Sequence, residues 1–274
     1  MSASFRSIAF DRLRAQQEEL RRAFAQADPI RHVVIEDFLQ PDAARRAEQA
    51  FPKPEAMAIA FAGLAEVKRA EQDLGALDAV FAGIFDDLND PAFVQWLAGV
   101  TQIPDLAADP QLHGGGLHQG PDGSYLDVHA DFNIHPGSGL FRRLNLLIYL
   151  NPRWEPHWQG YLELWSRDMN ECRQYIEPKF NRCLIMETHD YAFHGYKELR
   201  LPAGVTRKSL AAYYYSPVRS EKQTEAGHNT LFRLRPQQQR AAGVQMFFRR
   251  LIALSPPALR GPGRALRDIL RIPK

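Results

Sequence analysis

Cysteine is scarce in this chain: Cys172 and Cys183 are the only two in 274 residues. Two thiols do not make a disulfide framework, so a buried core has to supply the stability. Long apolar runs are missing too. No stretch reaches the roughly 18 apolar residues of a membrane span, so none is expected. The start, Met1-Ser-Ala-Ser-Phe-Arg, has no apolar signal-peptide core. Together these features predict a cytoplasmic protein with free thiols. Internal repeats, low-complexity tracts and zinc-finger spacings are also absent, and no nucleic-acid partner is expected.

What remains is an ordinary globular composition, 45% hydrophobic and 24% charged, long enough for one main domain with additions. The net charge of +2 hides an asymmetry. Residues 219–274 hold 12 Lys/Arg against 3 Asp/Glu, or +9, and residues 1–218 hold 22 against 29, or −7. A basic tail on an acidic body suits contact with the body, a partner or an anionic surface; a solvated basic helix is the plain alternative.

Residues 8–26 have helical composition and spacing. Residues 31–39 form a β-branched run that predicts a strand. Pro41 suits the first turn of a helix running to about Phe51. Residues 71–99 predict one or two helices, interrupted near Asn89-Asp90-Pro91. The first domain, 1–109, is thus expected to be a helical layer with one early strand. Beyond Pro110, glycine turns separate β-like runs at 125–133, 143–150, 160–165, 182–188 and 208–216. This spacing predicts a sandwich or barrel core over 110–218 rather than βαβ units. A basic helical extension, 219–274, follows. Its candidate helix 237–254 carries Met246, Phe247, Phe248, Leu251 and Ile252, an apolar face suited to the body, a homodimer contact or a membrane surface.

The chemistry is centred on Tyr125-Leu-Asp-Val-His129-Ala-Asp131-Phe-Asn133. On a strand, residues two apart share a face, so His129 and Asp131 project together, opposite Val128 and Ala130. An imidazole beside a carboxylate supplies two ligands of a 2-His-1-carboxylate set, which holds Fe(II) and leaves positions open. His194 follows the strand predicted over 182–188 and is the candidate third ligand. Arg207 and Ser209 share a face of the last long strand. A guanidinium grips a carboxylate bidentately, and a hydroxyl adds a donor. 2-Oxoglutarate would chelate the metal and place its distal carboxylate against Arg207, with one position left for dioxygen. The plain alternative is a hydrogen-bonded His–Asp pair and a structural Arg ion pair.

Across residues 110–216, with a looser match from about residue 30, the sequence resembles the Fe(II)/2-oxoglutarate-dependent dioxygenases of the prolyl 4-hydroxylase type. Arg142-Arg-Leu-Asn-Leu-Leu-Ile-Tyr-Leu-Asn-Pro-Arg-Trp154, Glu177-Pro-Lys-Phe-Asn-Arg182 and Arg207-Lys-Ser-Leu-Ala-Ala-Tyr-Tyr-Tyr215 look like segments of that family. The resemblance implies a mainly β fold with helices: a double-stranded β-helix (jelly roll, cupin-like), flanked by N-terminal helices and a C-terminal helical tail. It implies His129, Asp131 and His194 as metal ligands and Arg207 as the cosubstrate's anchor. Tyr149 matches a tyrosine that reaches the same carboxylate. Asn145, Ser209 and Gln119 are further cosubstrate candidates, although Gln119 stands where the family has an aromatic. Gln159-Gly160 departs from the family's Gly-Gly.

The implied cofactors are Fe(II), 2-oxoglutarate and dioxygen, with ascorbate as a further candidate. The implied reaction is hydroxylation of an unactivated C–H bond, with succinate and carbon dioxide as coproducts. Asp131 favours hydroxylation, because an open position there would admit halide. A prolyl, amino-acid or peptide-like substrate is expected, small molecule or peptide. The alternatives are a tailoring oxygenase for a sugar-linked, lipid or other secondary metabolite, and a non-catalytic jelly-roll binding module. Candidate pocket residues are His113, His118, Asn133, His135, Arg142, Trp158 and His189.

Overall fold

The computed structural model describes residues 5–217 and 227–238. The chain divides into two units, Met1–Phe232 and Arg233–Lys274. Most of the second, including residues 239–254 of the predicted helix and its possible dimer or surface contact, lies outside the described residues. In its described part the Arg235 amide donates to Gln238 Oε1 at 2.8 Å. Among the described residues, no helix is long and apolar enough to cross a membrane.

In the first unit the helices are α1 (Phe10–Ala15), α2 (Gln17–Gln26), α3 (Pro41–Gln49), α4 (Ala79–Asn89) and α5 (Pro91–Thr101). The predicted break after Asn89 is a capping event. Asp90 accepts from the Ala92 amide at 2.7 Å while Pro91 takes the first position of α5.

The strands are β1 (His32–Ile35), β2 (Ile59–Ala62), β3 (Glu66–Glu71), β4 (Ala107–Ala108), β5 (Gly116–Gly120), β6 (Tyr125–Ala130) and β7 (Phe141–Tyr149). They continue with β8 (Leu162–Trp165), β9 (Cys172–Ile176), β10 (Arg182–Glu187), β11 (His194–Tyr196), β12 (Arg207–Ser216) and β13 (Leu231–Phe232). All five predicted β runs of the core are strands. The main path is β1-β10-β7-β12-β5-β3-β6-β11-β8-β9, antiparallel at each pairing. This is a mainly antiparallel half-barrel of the double-stranded β-helix kind.

Alternation along β7 explains how the layers assemble. Leu144, Leu146, Ile148 and Leu150 join Ile185, Leu210, Ala212 and Tyr214 in the cluster shared with the helices. Tyr149, with partly buried Leu147, joins Leu162, Leu164, Leu184 and Met186 in a second cluster. Both faces of β7 are thus covered, which is why its sequence reads as a near-continuous apolar run. Asn181 ties the loop after β1 to the start of β10. Its side chain accepts from the Leu39 amide at 2.8 Å and donates to the Leu39 carbonyl at 2.9 Å. Asn181→Ala orphans both groups and is expected to lower stability by about 1–3 kcal/mol per unsatisfied group, measured as a lower urea midpoint.

The expectation of a single strand before residue 110 needs correction: β1, β2, β3 and β4 all lie there. β2 and β3 are built of Ala, Glu, Lys and Arg as much as of Ile, Phe and Val, so local propensity does not announce them. Pairing of β3 with β5 and β6 decides the outcome. Further additions are β5, β9 and β11 within the core, and β13, in the stretch predicted as extension, which pairs with the end of β6.

Candidate active site

β6 and β11 bring the first two residues of the site together. His194 is the direct cross-strand partner of His129, and their ring centroids are 4.4 Å apart. Gly195 permits this approach, because a Cβ there would lie 2.7 Å from the Leu126 carbonyl oxygen and 2.9 Å from that of Asp127. Asp131 follows one residue beyond the end of β6. His129 Nε2 is 3.5 Å from Asp131 Oδ1, and His194 Nε2 is 3.5 Å from Asp131 Oδ2. The three potential ligand atoms lie within 4.8 Å of one another.

The imidazole tautomers suit a metal. His129 Nδ1 lies 2.9 Å from the Asp127 carbonyl oxygen, and His194 Nδ1 lies 2.9 Å from that of Ala192. Each Nδ1–H donates to a carbonyl two residues back, which leaves the Nε2 lone pair turned toward Asp131. Burial, reinforced by the neighbouring His129, lowers the His194 pKa to about 4, so the ring is neutral near pH 7. Burial alone would raise the Asp131 pKa, but Arg142 and the two imidazoles outweigh it and hold the carboxyl well below its usual range. Two imidazole nitrogens and one carboxylate are the donor set of a facial triad for a divalent metal.

Behind these three residues the cavity runs to β12. Arg207 is buried, and its Nε donates to the Gly160 carbonyl at 2.9 Å. Its guanidinium lies between two rings, 5.0 Å from the centroid of Tyr149 and 4.4 Å from that of Tyr196. Gly160 has φ +73°, and a Cβ there would press on Leu199, Trp154 and Arg207. Gln159, at the place where the sequence departs from Gly-Gly, nonetheless takes φ 60°. Ser209 lines the cavity beside Arg207. Among the described residues, Tyr149 Oη and Gln119 Oε1 are buried without a hydrogen-bond partner. The other end of the Gln119 amide donates to Thr206 Oγ1 at 2.9 Å. A guanidinium with orphaned polar atoms near it suits a bound carboxylate.

Of the predicted ligand and cosubstrate residues, all but Tyr149 line this cavity, Tyr149 lies against Arg207, and Asn145 arrives with its amide already engaged. It donates to Asp131 Oδ2 at 2.7 Å and accepts from Arg142 Nε at 2.8 Å. Of the candidate pocket residues, His118 and Arg142 line the cavity. Burial, then the charge of Lys68, pushes the His118 pKa down to about 3. The others lie elsewhere. His135 caps its own loop, accepting from the Gly137 and Ser138 amides. His113 packs on Phe132 and His135. Asn133 accepts from the His228 amide. Trp158 packs on Trp154 and Leu199. His189 stacks on Tyr191.

Four residues near the metal ligands were not anticipated. Tyr196 and Tyr213 share faces with His194 and with Arg207, so alternation would have found them. Lys68 reaches the cavity from the unrecognised strand β3. Phe232 on β13 is the cross-strand partner of His129, its ring 5.6 Å from the imidazole; direct partners share a face.

Comparison with known proteins agrees with this architecture. Residues 115–215 match the 2OG-Fe(II) oxygenase superfamily. No curated protein matches the chain in sequence. A solved prolyl hydroxylase from Trichoplax adhaerens, in complex with a hypoxia inducible factor oxygen degradation domain peptide fragment, is similar with a TM-score of 0.54. The identity is 16%, over 75% of this chain and 92% of that one. A Pseudomonas putida prolyl-4-hydroxylase shows a TM-score of 0.48 at 17% identity, over 72% of this chain and 98% of that one. HygX from Streptomyces hygroscopicus, with nickel, 2-oxoglutarate and hygromycin B bound, shows 0.47 at 15% identity, over 77% and 96%.

Proposed function

We propose that this chain, whose residues 115–215 match the 2OG-Fe(II) oxygenase superfamily and whose His129, Asp131 and His194 offer a metal-ligand set, is an Fe(II)- and 2-oxoglutarate-dependent oxygenase that hydroxylates an unactivated C–H bond of a prolyl, amino-acid or peptide-like compound. The observation that carries hydroxylation is the carboxylate of Asp131 facing both imidazoles at 3.5 Å. A third protein ligand there leaves no place for a halide. The peptide-like substrate is supported by the motif resemblance to prolyl 4-hydroxylases; the fold itself names no substrate.

In this reading His129, Asp131 and His194 hold Fe(II). Arg207 binds the distal carboxylate of 2-oxoglutarate, with Tyr149 Oη as a further donor and Ser209 and Gln119 alongside. Burial makes that pairing matter, because an unpaired carboxylate in this setting would be very costly. When bound, the metal and 2-oxoglutarate supply the oxidising chemistry with dioxygen, yielding succinate and carbon dioxide. The protein contributes orientation, and the ring of Phe232 packs beside His129. Lys68, His118, Arg142 and Tyr213 also line the cavity, and of these Lys68 and His118 are the polar groups offered to a substrate.

The test is succinate formation from 2-oxoglutarate by the Fe(II)-loaded protein. Wild type is expected to turn over slowly without substrate, and faster with a matching member of a panel of proline, prolyl peptides and free amino acids. His129→Ala is expected to do neither, and a product heavier by one oxygen atom should appear by mass spectrometry. Equal succinate release by the wild type and His129→Ala would overturn the enzymatic reading. Stimulation by saccharides alone, with none by the amino-acid panel, would overturn the proposed substrate class.

A further inference from the structure

We propose that Asn145 and Arg142 are positioning residues that hold the Asp131 carboxylate in its metal-ligating orientation, and that a β-bulge at Arg143 is what aims them; this rests on reading His129, Asp131 and His194 as the metal ligands.

Asp131 needs such support. It lies past the end of β6, and regular pairing resumes only at the bridge between Ile134 and Phe141. The sheet therefore fixes His129 and His194 but not Asp131. The support comes from β7. Asn145 Nδ2 donates to Asp131 Oδ2 at 2.7 Å, and Arg142 Nη2 lies 3.5 Å from the same oxygen. Arg142 Nε in turn donates to Asn145 Oδ1 at 2.8 Å, which fixes which end of the amide faces the carboxylate. Both Arg142 and Asn145 are buried.

Two residues three apart on a regular strand point to opposite faces, so this pair should not meet. The register shows why they do. Tyr213 pairs with Asn145 and Tyr214 with Leu144, but Tyr215 pairs with Arg142, so Arg143 is the extra residue of a bulge. A bulge reverses the alternation and turns Arg142 onto the face that carries Asn145. There Arg142 is held by aromatic planes. Its guanidinium carbon is 3.4 Å from the Tyr213 ring centroid and 4.7 Å from that of Phe132. The Tyr213 hydroxyl is itself anchored, donating to the Gly114 carbonyl at 2.9 Å. A continuous chain of contacts thus runs from β12 through Arg142 and Asn145 to Asp131. With one carboxylate oxygen engaged by Asn145, the other is left to the metal.

The experiment titrates metal-free protein with Mn(II), and separately with Co(II) to record its visible absorption. Loss of a hydrogen-bond partner to a ligand typically weakens metal binding about 10–100-fold. Asn145→Ala is expected to weaken Mn(II) binding by about that factor and to shift the Co(II) bands, with the metal-free protein still folded. Arg142→Lys keeps the charge but loses the Nε bond and the stacked plane, and is expected to change both readouts in the same direction; it carries the comparison if Asn145→Ala does not fold. His129→Ala serves as the reference for a lost ligand. Wild-type affinity and unshifted Co(II) bands in both variants, with His129→Ala impaired, would overturn the clamp and leave the metal site standing. A raised KM for 2-oxoglutarate with unchanged Mn(II) affinity would also overturn it and assign Asn145 to the cosubstrate. Failure of the wild type to bind Mn(II) would instead remove the metal reading, and the clamp with it.

Discussion

Arg207→Ala is expected to weaken 2-oxoglutarate binding by roughly 30- to 4,000-fold, the equivalent of the about 2–5 kcal/mol lost when one partner of a buried, hydrogen-bonded charge pair is truncated. The size follows from where the guanidinium sits. It is buried at the end of the cavity, fixed through Nε to the Gly160 carbonyl and flanked by the rings of Tyr149 and Tyr196. Its orientation is set before any ligand arrives, so little is lost in ordering it. The measurement is the 2-oxoglutarate Kd, or the KM for succinate release, at saturating Fe(II). Arg207→Lys is expected to fall in between, because an ammonium keeps the charge but not the planar fork. Mn(II) affinity should survive in both variants, since Arg207 is not among the metal ligands. An unchanged Kd in Arg207→Ala would mean that the cosubstrate's carboxylate lies elsewhere.

Phe93→Ala is expected to destabilise the protein by about 3–5 kcal/mol. At about 2–4 °C per kcal/mol for a chain of this size, the melting temperature should fall by roughly 6–20 °C. Phe93 on α5 is fully buried, with its ring 6.1 Å from Phe10, 6.1 Å from Phe38, 5.3 Å from Trp96 and 6.4 Å from Tyr214 of β12. It joins the helical layer to the outer face of the strand whose inner face carries Arg207 and Ser209. The Tyr214 hydroxyl reinforces that joint by donating to the Leu88 carbonyl at 3.0 Å. Far-UV circular dichroism and near-UV signals from the barrel should therefore fall together in one shifted transition. Two separate transitions, with only the helical one displaced, would show that residues 1–109 fold as a domain of their own.

The resemblance to prolyl 4-hydroxylases and the alternation within each strand made the central chemistry legible early. His129 and Asp131 share a face, as do Arg207 and Ser209, and these statements need only the two-residue period of a strand. Alternation by itself gives no account of how Arg142 reaches Asn145, because the bulge at Arg143 reverses it there, and it is silent about Lys68, because β2 and β3 are as rich in Ala, Glu, Lys and Arg as in β-formers. The resemblance makes Asn145 a cosubstrate candidate. Its amide is instead spent on Asp131 and Arg142, a commitment that depends on two other segments of the chain. Phe232 carried no local signal at all: a two-residue strand has no period to detect.

By itself, the sequence determined five strands of the core, the helix break near Asn89-Asp90-Pro91 and the shared face of His129 and Asp131. Each of these is written in side chains a few residues apart, where backbone geometry alone sets direction. Only the tertiary structure decided that β11 lies in register with β6 and that β3 closes one wall of the cavity. It also decided that β13 returns to place an aromatic ring beside His129, and that a single extra residue in β7 turns an arginine toward Asp131. Those outcomes depend on register and packing between segments far apart in sequence, and a one-residue shift in pairing exchanges every inward side chain for an outward one.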